Sequence, residues 1–178
     1  AGEALFIRAY HYFNLVRLFG GVMLVYEPIS AAQSKTMNRV PEADIYKLIQ
    51  ADLTTASQWM NQLKFTQMAS ADLGRATSWA AKGMLAKVYL TLNRKAEAIT
   101  LLQDVMTNSG YSMQGSYNNV FSINNEMNSE IMFAVRYKAG GLGLGSSFAN
   151  TFAPLGTGSN VINGDGDGLN YPTADLDT

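Results

Sequence analysis

Residues 1–28, AGEALFIRAYHYFNLVRLFGGVMLVYEP, decide the fold. Winding Glu3 to Phe19 at about 3.6 residues per turn places Leu5, Phe6, Ala9, Tyr12, Phe13, Val16 and Phe19 on one broad face. The opposite arc mixes Glu3, Arg8, His11, Asn14 and Arg17 with Ile7, Tyr10, Leu15 and Leu18. A surface helix keeps its second arc polar, so the spacing predicts a helix sandwiched between neighbours on two sides, as in a stacked helical array. Gly20 and Gly21 release it into a short extended piece, Val22 to Tyr26. The helix begins within a few residues of the first one, which suggests a fragment of a larger protein.

Working outward, residues 27–38 form a polar loop ended by Pro41, which suits a first helical position, with Glu42 and Asp44 at the positive end of the helix that follows. Ile45, Leu48, Ile49, Asp52, Leu53, Ala56 and Met60 keep helical spacing and predict a second helix over 41–60. After a polar loop over 61–74, GRATSWAAKGMLAKVYLTL predicts a third helix from Arg75 to Leu92. One face of it gathers Ala76, Trp79, Ala80, Gly83, Ala86 and Leu90, and small residues there allow another helix to approach closely. Asn93 marks a tight turn. A fourth helix, Lys95 to Ser109, packs through Ala98, Leu101, Leu102, Val105 and Met106, with Gly110 as a left-handed stop. The third and fourth helices make an antiparallel hairpin.

Character changes after Gly110. Residues 111–128 are rich in Asn, Ser and Gly, whereas Ile131, Phe133, Val135 and Tyr137 alternate with Met132, Ala134, Arg136 and Lys138, which predicts one strand over 130–138. Residues 139–178 are dense in glycine and without periodicity, so they are expected to be mostly loop.

Composition excludes several classes. With 178 residues and 47% hydrophobic content the chain can bury a core. Thirteen Lys and Arg against fourteen Asp and Glu give a net charge of −1 with no basic stripe, so nucleic acid is not an expected partner. No run approaches the ~20 apolar residues of a membrane span. The absence of cysteine excludes disulfides, thiolate nucleophiles and cysteine-based zinc sites.

Candidate sites are weighed against plainer readings. GGLGLGSS, Gly140 to Ser147, lacks the Gly-Lys-Ser/Thr ending of a phosphate loop and reads as a surface loop. In NGDGDGLNYPTAD, Asn163, Asp165, Asp167 and Gly168 match positions one, three, five and six of a calcium loop, but the twelfth is Ala174 instead of a bidentate glutamate. Calcium is therefore only a weak candidate there, and no other cofactor is expected. His11, the single histidine, reads as a hydrogen-bonded structural residue, not a general base. Glu126 and Glu130 are two acids in a polar loop, without support for paired-carboxylate hydrolysis. Trp59 and Trp79 fall in helical patterns and read as core. Tyr117, Tyr137 and Phe148, in or beside loops, are the better ligand-binding candidates. No residue is expected to be catalytic.

Five blocks in order, GEALFIRAYHYFNLVRLFGGVMLV, VPEADIYKLIQADLTTA, GRATSWAAKGMLAKVYL, NSEIMFAVRY and GDGLNYPTADL, resemble the SusD/RagB family of Bacteroidota outer-membrane nutrient-binding lipoproteins. The resemblance implies tetratricopeptide-like helix pairs as a scaffold. It implies a lid on a SusC-like TonB-dependent transporter that captures glycans or oligosaccharides, sometimes peptides, at the cell surface. It further implies a lipid anchor on an N-terminal cysteine and long flanking regions, neither of which these residues contain. Met23 replaces the proline usual after GGV, and the final Leu-Asp-Thr departs from the family's continuation.

The expected fold is thus mainly α: stacked helical hairpins in an α-α superhelix, with a loop-rich C-terminal part containing one or a few short strands. Residues 1–178 form part of a single SusD-like domain, with 1–110 as helical scaffold and 111–178 as loop-rich region. Predicted helix starts near 2, 41, 75 and 95 fit a strict tetratricopeptide period poorly. The expected function is a non-enzymatic nutrient-binding protein; the alternative is a tetratricopeptide-type adaptor that binds a protein segment in a helical groove.

Overall fold

The computed structural model describes residues 1–138, 144–156 and 166–169. In chain order its helices are α1 (Gly2–Phe19), α2 (Ala31–Ser34), α3 (Glu42–Trp59), α4 (Ser78–Thr91), α5 (Lys95–Asn108), α6 (Tyr117–Val120) and α7 (Phe148–Phe152). Short 3-10 turns lie at Phe65–Gln67, Ser70–Asp72 and Ile123–Asn125. The residues form two compact units, Ala1–Ala134 and Val135–Thr178. The first unit therefore runs beyond the 1–110 scaffold expected from sequence.

Local chemistry sets the long helices. Gly20, at φ 69°, ends α1 with its N–H on the Val16 carbonyl, a left-handed conformation that costs glycine little. Thr77 caps α4, its hydroxyl accepting the Ala80 N–H at 3.2 Å. Asn93, at φ 58°, makes the tight turn into α5, and Gly110, at φ 75°, follows the end of α5.

Packing joins α1 to α3, α3 to α4 and α4 to α5. The first unit is thus a pair of stacked helical hairpins, mainly α as expected. Phe6, Ala9, Phe13 and Val16 of α1 meet Ile45, Ile49, Leu53 and Ala56 of α3, with Ala80, Ala81, Leu85 and Val88 of α4 completing the core. Burying the Phe, Val, Ile and Leu side chains among these contributes roughly 1.5–3 kcal/mol each. Polar ties add direction. Arg8 grips the buried Asp52 carboxylate with two hydrogen bonds of 2.7 Å across α1 and α3. Lys82 of α4 reaches Asp104 of α5 at 2.6 Å while lying over the Trp79 ring. The Tyr12 hydroxyl accepts the Val25 N–H at 2.7 Å and so pins the segment after Gly21 against α1.

Four expectations need correction. First, among the described residues α1 has helix neighbours on one side: Ile7, Leu15, Leu18 and Phe19 are exposed, Leu18 at 74%, whereas α3 and α4 have helix neighbours on two. Second, Trp59 is 64% exposed at the end of α3, whereas Trp79 is core and donates its indole N–H to the Leu63 carbonyl at 2.9 Å. Third, Gly83 faces not a helix but the side chain of Met132, whose Cε would lie 3.6 Å from an added Cβ. Leu90, placed on the same face by its spacing, is exposed.

Fourth, no strand forms among the described residues. Residues 131–138 have the alternating pattern, but a strand also needs a ladder partner. Among the described residues no ladder forms: the Ala134 N–H donates to the Gly74 carbonyl at 3.2 Å. Alternation is used for side-chain packing instead. Phe133 sets its ring edge-on to Phe6 at 4.9 Å, and Met132 covers Gly83.

Candidate functional site

The second unit contains a helix that the glycine-rich sequence concealed. Five-residue α7 is too short to hold itself together, because its first N–H and last C=O groups lack intrahelical partners. Neighbouring segments supply them. At its start, the Ser146 hydroxyl accepts the Phe148 N–H at 3.2 Å. At its end, the N–H groups of Asp167, Gly168 and Leu169 donate to the carbonyls of Asn150, Ala153 and Thr151 at 2.8, 3.0 and 3.2 Å. Gly166 makes this approach possible: a Cβ there would strike the Ala153 carbonyl oxygen.

Fixed in this way, α7 sets Phe148 and Phe152 side by side, ring centroids 4.8 Å apart and tilted by 53°. Tyr137 joins them from the extended segment, whose return is closed by the Lys138 N–H on the Leu144 carbonyl at 2.8 Å. Tyr137, Gly145, Ser146, Ser147, Phe148, Thr151 and Phe152 line a cleft of about 560 Å³, within the roughly 300–1,000 Å³ of small-molecule sites. Its aromatic faces stay open to solvent, Tyr137 at 62%, Phe148 at 69% and Phe152 at 44% exposed. Ser146, Ser147, Thr151 and Tyr137 set hydroxyls around them. Apolar ring faces beside hydroxyl groups suit a ligand that has both C–H faces and hydroxyls.

Two of the three sequence candidates, Tyr137 and Phe148, therefore share one cleft. Tyr117 belongs to the first unit, exposed on α6 and paired with Phe121 at 5.0 Å. Phe152 and Thr151 escaped the sequence reading. The signal that could have found Phe152 is its i,i+4 spacing from Phe148, which makes the two neighbours only if the segment is helical.

The remaining candidates fall into structural roles or outside view. Glu130 accepts the Gln114 N–H at 2.8 Å and so fastens the 112–130 loop. That loop is further tied by Asn128, whose side-chain amide donates to the carbonyls of Val120 and Asn125 at 3.0 Å each. His11 is exposed on α1 with its ring edge-on to Tyr10, at 5.5 Å, in place of the hydrogen-bonded setting expected. Gly140 to Gly143 of the glycine run, and Asn163 and Asp165 of the calcium-loop pattern, lie outside the described residues. Asp167 is described, and its backbone is engaged in ending α7. Among the described residues no group of three or more His, Cys, Asp or Glu could hold a metal ion. A smaller polar pocket of about 180 Å³ lies among Glu3, Asn61, Asp72, Arg75 and Thr77, where Arg75 is already held by both carboxylates. No helix among the described residues is long and apolar enough to cross a membrane.

Comparison with known proteins agrees with this architecture. The family model SusD-like, described as starch-binding associating with outer membrane, matches residues 1–90. A SusD-like protein of Bacteroides ovatus is 32% identical over 76% of this chain and 26% of its own length. A laminarin-binding SusD-like protein of known structure is 26% identical with a TM-score of 0.77, covering 87% of this chain and 36% of that one. A crystal structure with xylogluco-oligosaccharide is 27% identical with a TM-score of 0.76, covering 93% of this chain and 35% of that one. The chain spans less than a third of the length of the curated relatives it matches.

Proposed function

The chain belongs to the SusD-like family, and on that premise we propose that it binds glycans or oligosaccharides at the cell surface without transforming them. One observation carries this reading: Tyr137, Phe148 and Phe152 gather in an open cleft edged by hydroxyls. Ring faces there would stack on sugar C–H surfaces, and the hydroxyls of Ser147, Thr151 and Tyr137 would exchange hydrogen bonds with those of the sugar. The laminarin binding of one similar protein and the xylogluco-oligosaccharide in the structure of another support the same ligand class. Outer-membrane association, a lipid anchor encoded outside these residues and delivery to a SusC-like TonB-dependent transporter complete the proposal. The family description supports the first of these.

Isothermal titration of the product of the full reading frame against a panel of neutral and acidic oligosaccharides tests the binding. Heat with at least one glycan is expected, weakened about three- to tenfold by Tyr137→Ala or Phe148→Ala, since stacking contacts of this size are worth on the order of 1 kcal/mol each. Silence with every glycan, together with tight capture of a peptide, would favour the adaptor reading. Delivery is tested separately: an affinity-tagged protein should bring a SusC-like transporter with it from detergent-solubilised outer membranes.

A further inference from the structure

The cleft edge carries hydroxyls, aromatic rings and glycine backbone, and among the described residues no charged side chain lines it. Recognition of a uronate or a sulfate ester depends on charge-assisted hydrogen bonds, which Arg and Lys supply and hydroxyls replace poorly. The sequence restricts where such cations could come from within this unit. Residues 139–178 contain no Lys, Arg or His, so Arg136 and Lys138 are the cations of 135–178, against Asp165, Asp167, Asp175 and Asp177.

Tyr137 lines the cleft, and its neighbours Arg136 and Lys138 do not. An acidic sugar seated on Phe148 and Phe152 would therefore give up hydration without gaining a cationic partner.

From this we propose that the Tyr137–Phe148–Phe152 cleft selects uncharged saccharides and discriminates against uronate-containing and sulfated ones. The inference rests on the glycan-binding reading above and narrows its ligand class. Selection comes from what the site withholds as much as from what it offers.

The test titrates the full-reading-frame protein with linear neutral gluco-oligosaccharides, xyloglucan oligosaccharides, oligogalacturonates and sulfated galactan oligosaccharides of matched length, at low and high salt. The expected result is heat with a neutral probe and a Kd that shifts less than about twofold with salt, as for a contact without ion pairs. Acidic probes are expected to bind at least about tenfold more weakly, the loss of one charge-assisted contact. Thr151→Lys, which puts a cation on the cleft wall, should raise affinity for the acidic probes and make it salt-dependent. Tighter binding of an acidic probe than of any neutral one, weakening with salt, overturns the inference and leaves glycan binding standing. Silence with all probes overturns both.

Discussion

Asp52 is the residue with most at stake in the scaffold. Its carboxylate is buried, and Arg8 presents two parallel donors to it at 2.7 Å. The same contact holds the Arg8 guanidinium above its ordinary pKa, the Asp52 hydrogen bonds outweighing the opposing effect of burial. Removing one partner leaves the other charge without compensation. Arg8→Met should therefore cost about 3 kcal/mol in urea unfolding, the lower end expected for a broken buried pair because Arg8 is partly solvated. Arg8→Met with Asp52→Leu should recover most of that loss; a double variant no more stable than the single one would contradict this account. The Lys82–Asp104 pair differs because it is more open to water. Lys82, and after it Asn108, hold the Asp104 carboxyl below the ordinary aspartate range. A folded pKa below the unfolded value, about 3.9, means that the stabilisation is complete above that pH and is lost as pH falls through the folded pKa. Asp104→Asn should then cost about 0.5 kcal/mol at neutral pH after solvent screening. The gap between variant and parent should close in melts below about pH 4.

Elements show how far the residue pattern reaches. The boundaries of α3 and α5 were legible because Pro41, Glu42 and Gly110 act locally, through φ preference and the helix dipole. The supposed strand over 130–138 was not legible as coil, because alternation specifies an extended backbone and says nothing about whether a ladder partner exists. Gly83 could likewise be read as small, but not as lying beneath Met132. α7 was hidden for a third reason: five residues carry too little periodicity, and the groups that close its end come from residues 166–169, more than ten positions away. The candidate site inherits that problem, so Tyr137 and Phe148 were recognisable as exposed aromatics while Phe152 was not. If the 166–169 segment holds α7 in place, Gly166→Ala should disturb the cleft without touching it. A Cβ there would strike the Ala153 carbonyl oxygen. Glycan affinity should fall at least about tenfold while the helical signal of the first unit, measured by circular dichroism, changes little, since the substitution lies outside that unit. Unchanged affinity would show that α7 does not need this support.

At the scale of the molecule, the first helix has a different meaning from the one its wheel suggested. Mixed apolar and polar residues on the outer arc are compatible with a helix buried twice or with one that leaves apolar side chains in water. Within residues 1–178 that arc is open, with Ile7, Leu15, Leu18 and Phe19 exposed along α1. Single exposed apolar side chains are ordinary, but Leu15, Leu18 and Phe19 form a row over the last turns of α1, with Ile7 beyond the exposed His11. Residues 1–178 alone should therefore self-associate, with sedimentation velocity at tens of micromolar showing species larger than the monomer. The cause can be separated from general instability. Leu15→Lys with Leu18→Glu places charges on this row, away from the core formed by Phe6, Ala9, Phe13 and Val16. That variant should sediment as a monomer with a melting temperature within a few degrees of the parent, as surface changes usually leave stability within about 0.5 kcal/mol. A parent chain that is already monodisperse would show that the row is too weakly apolar to drive association. A double variant that still aggregates would move the cause to another surface, where Ile99 and Met106 on α5 are the next exposed pair.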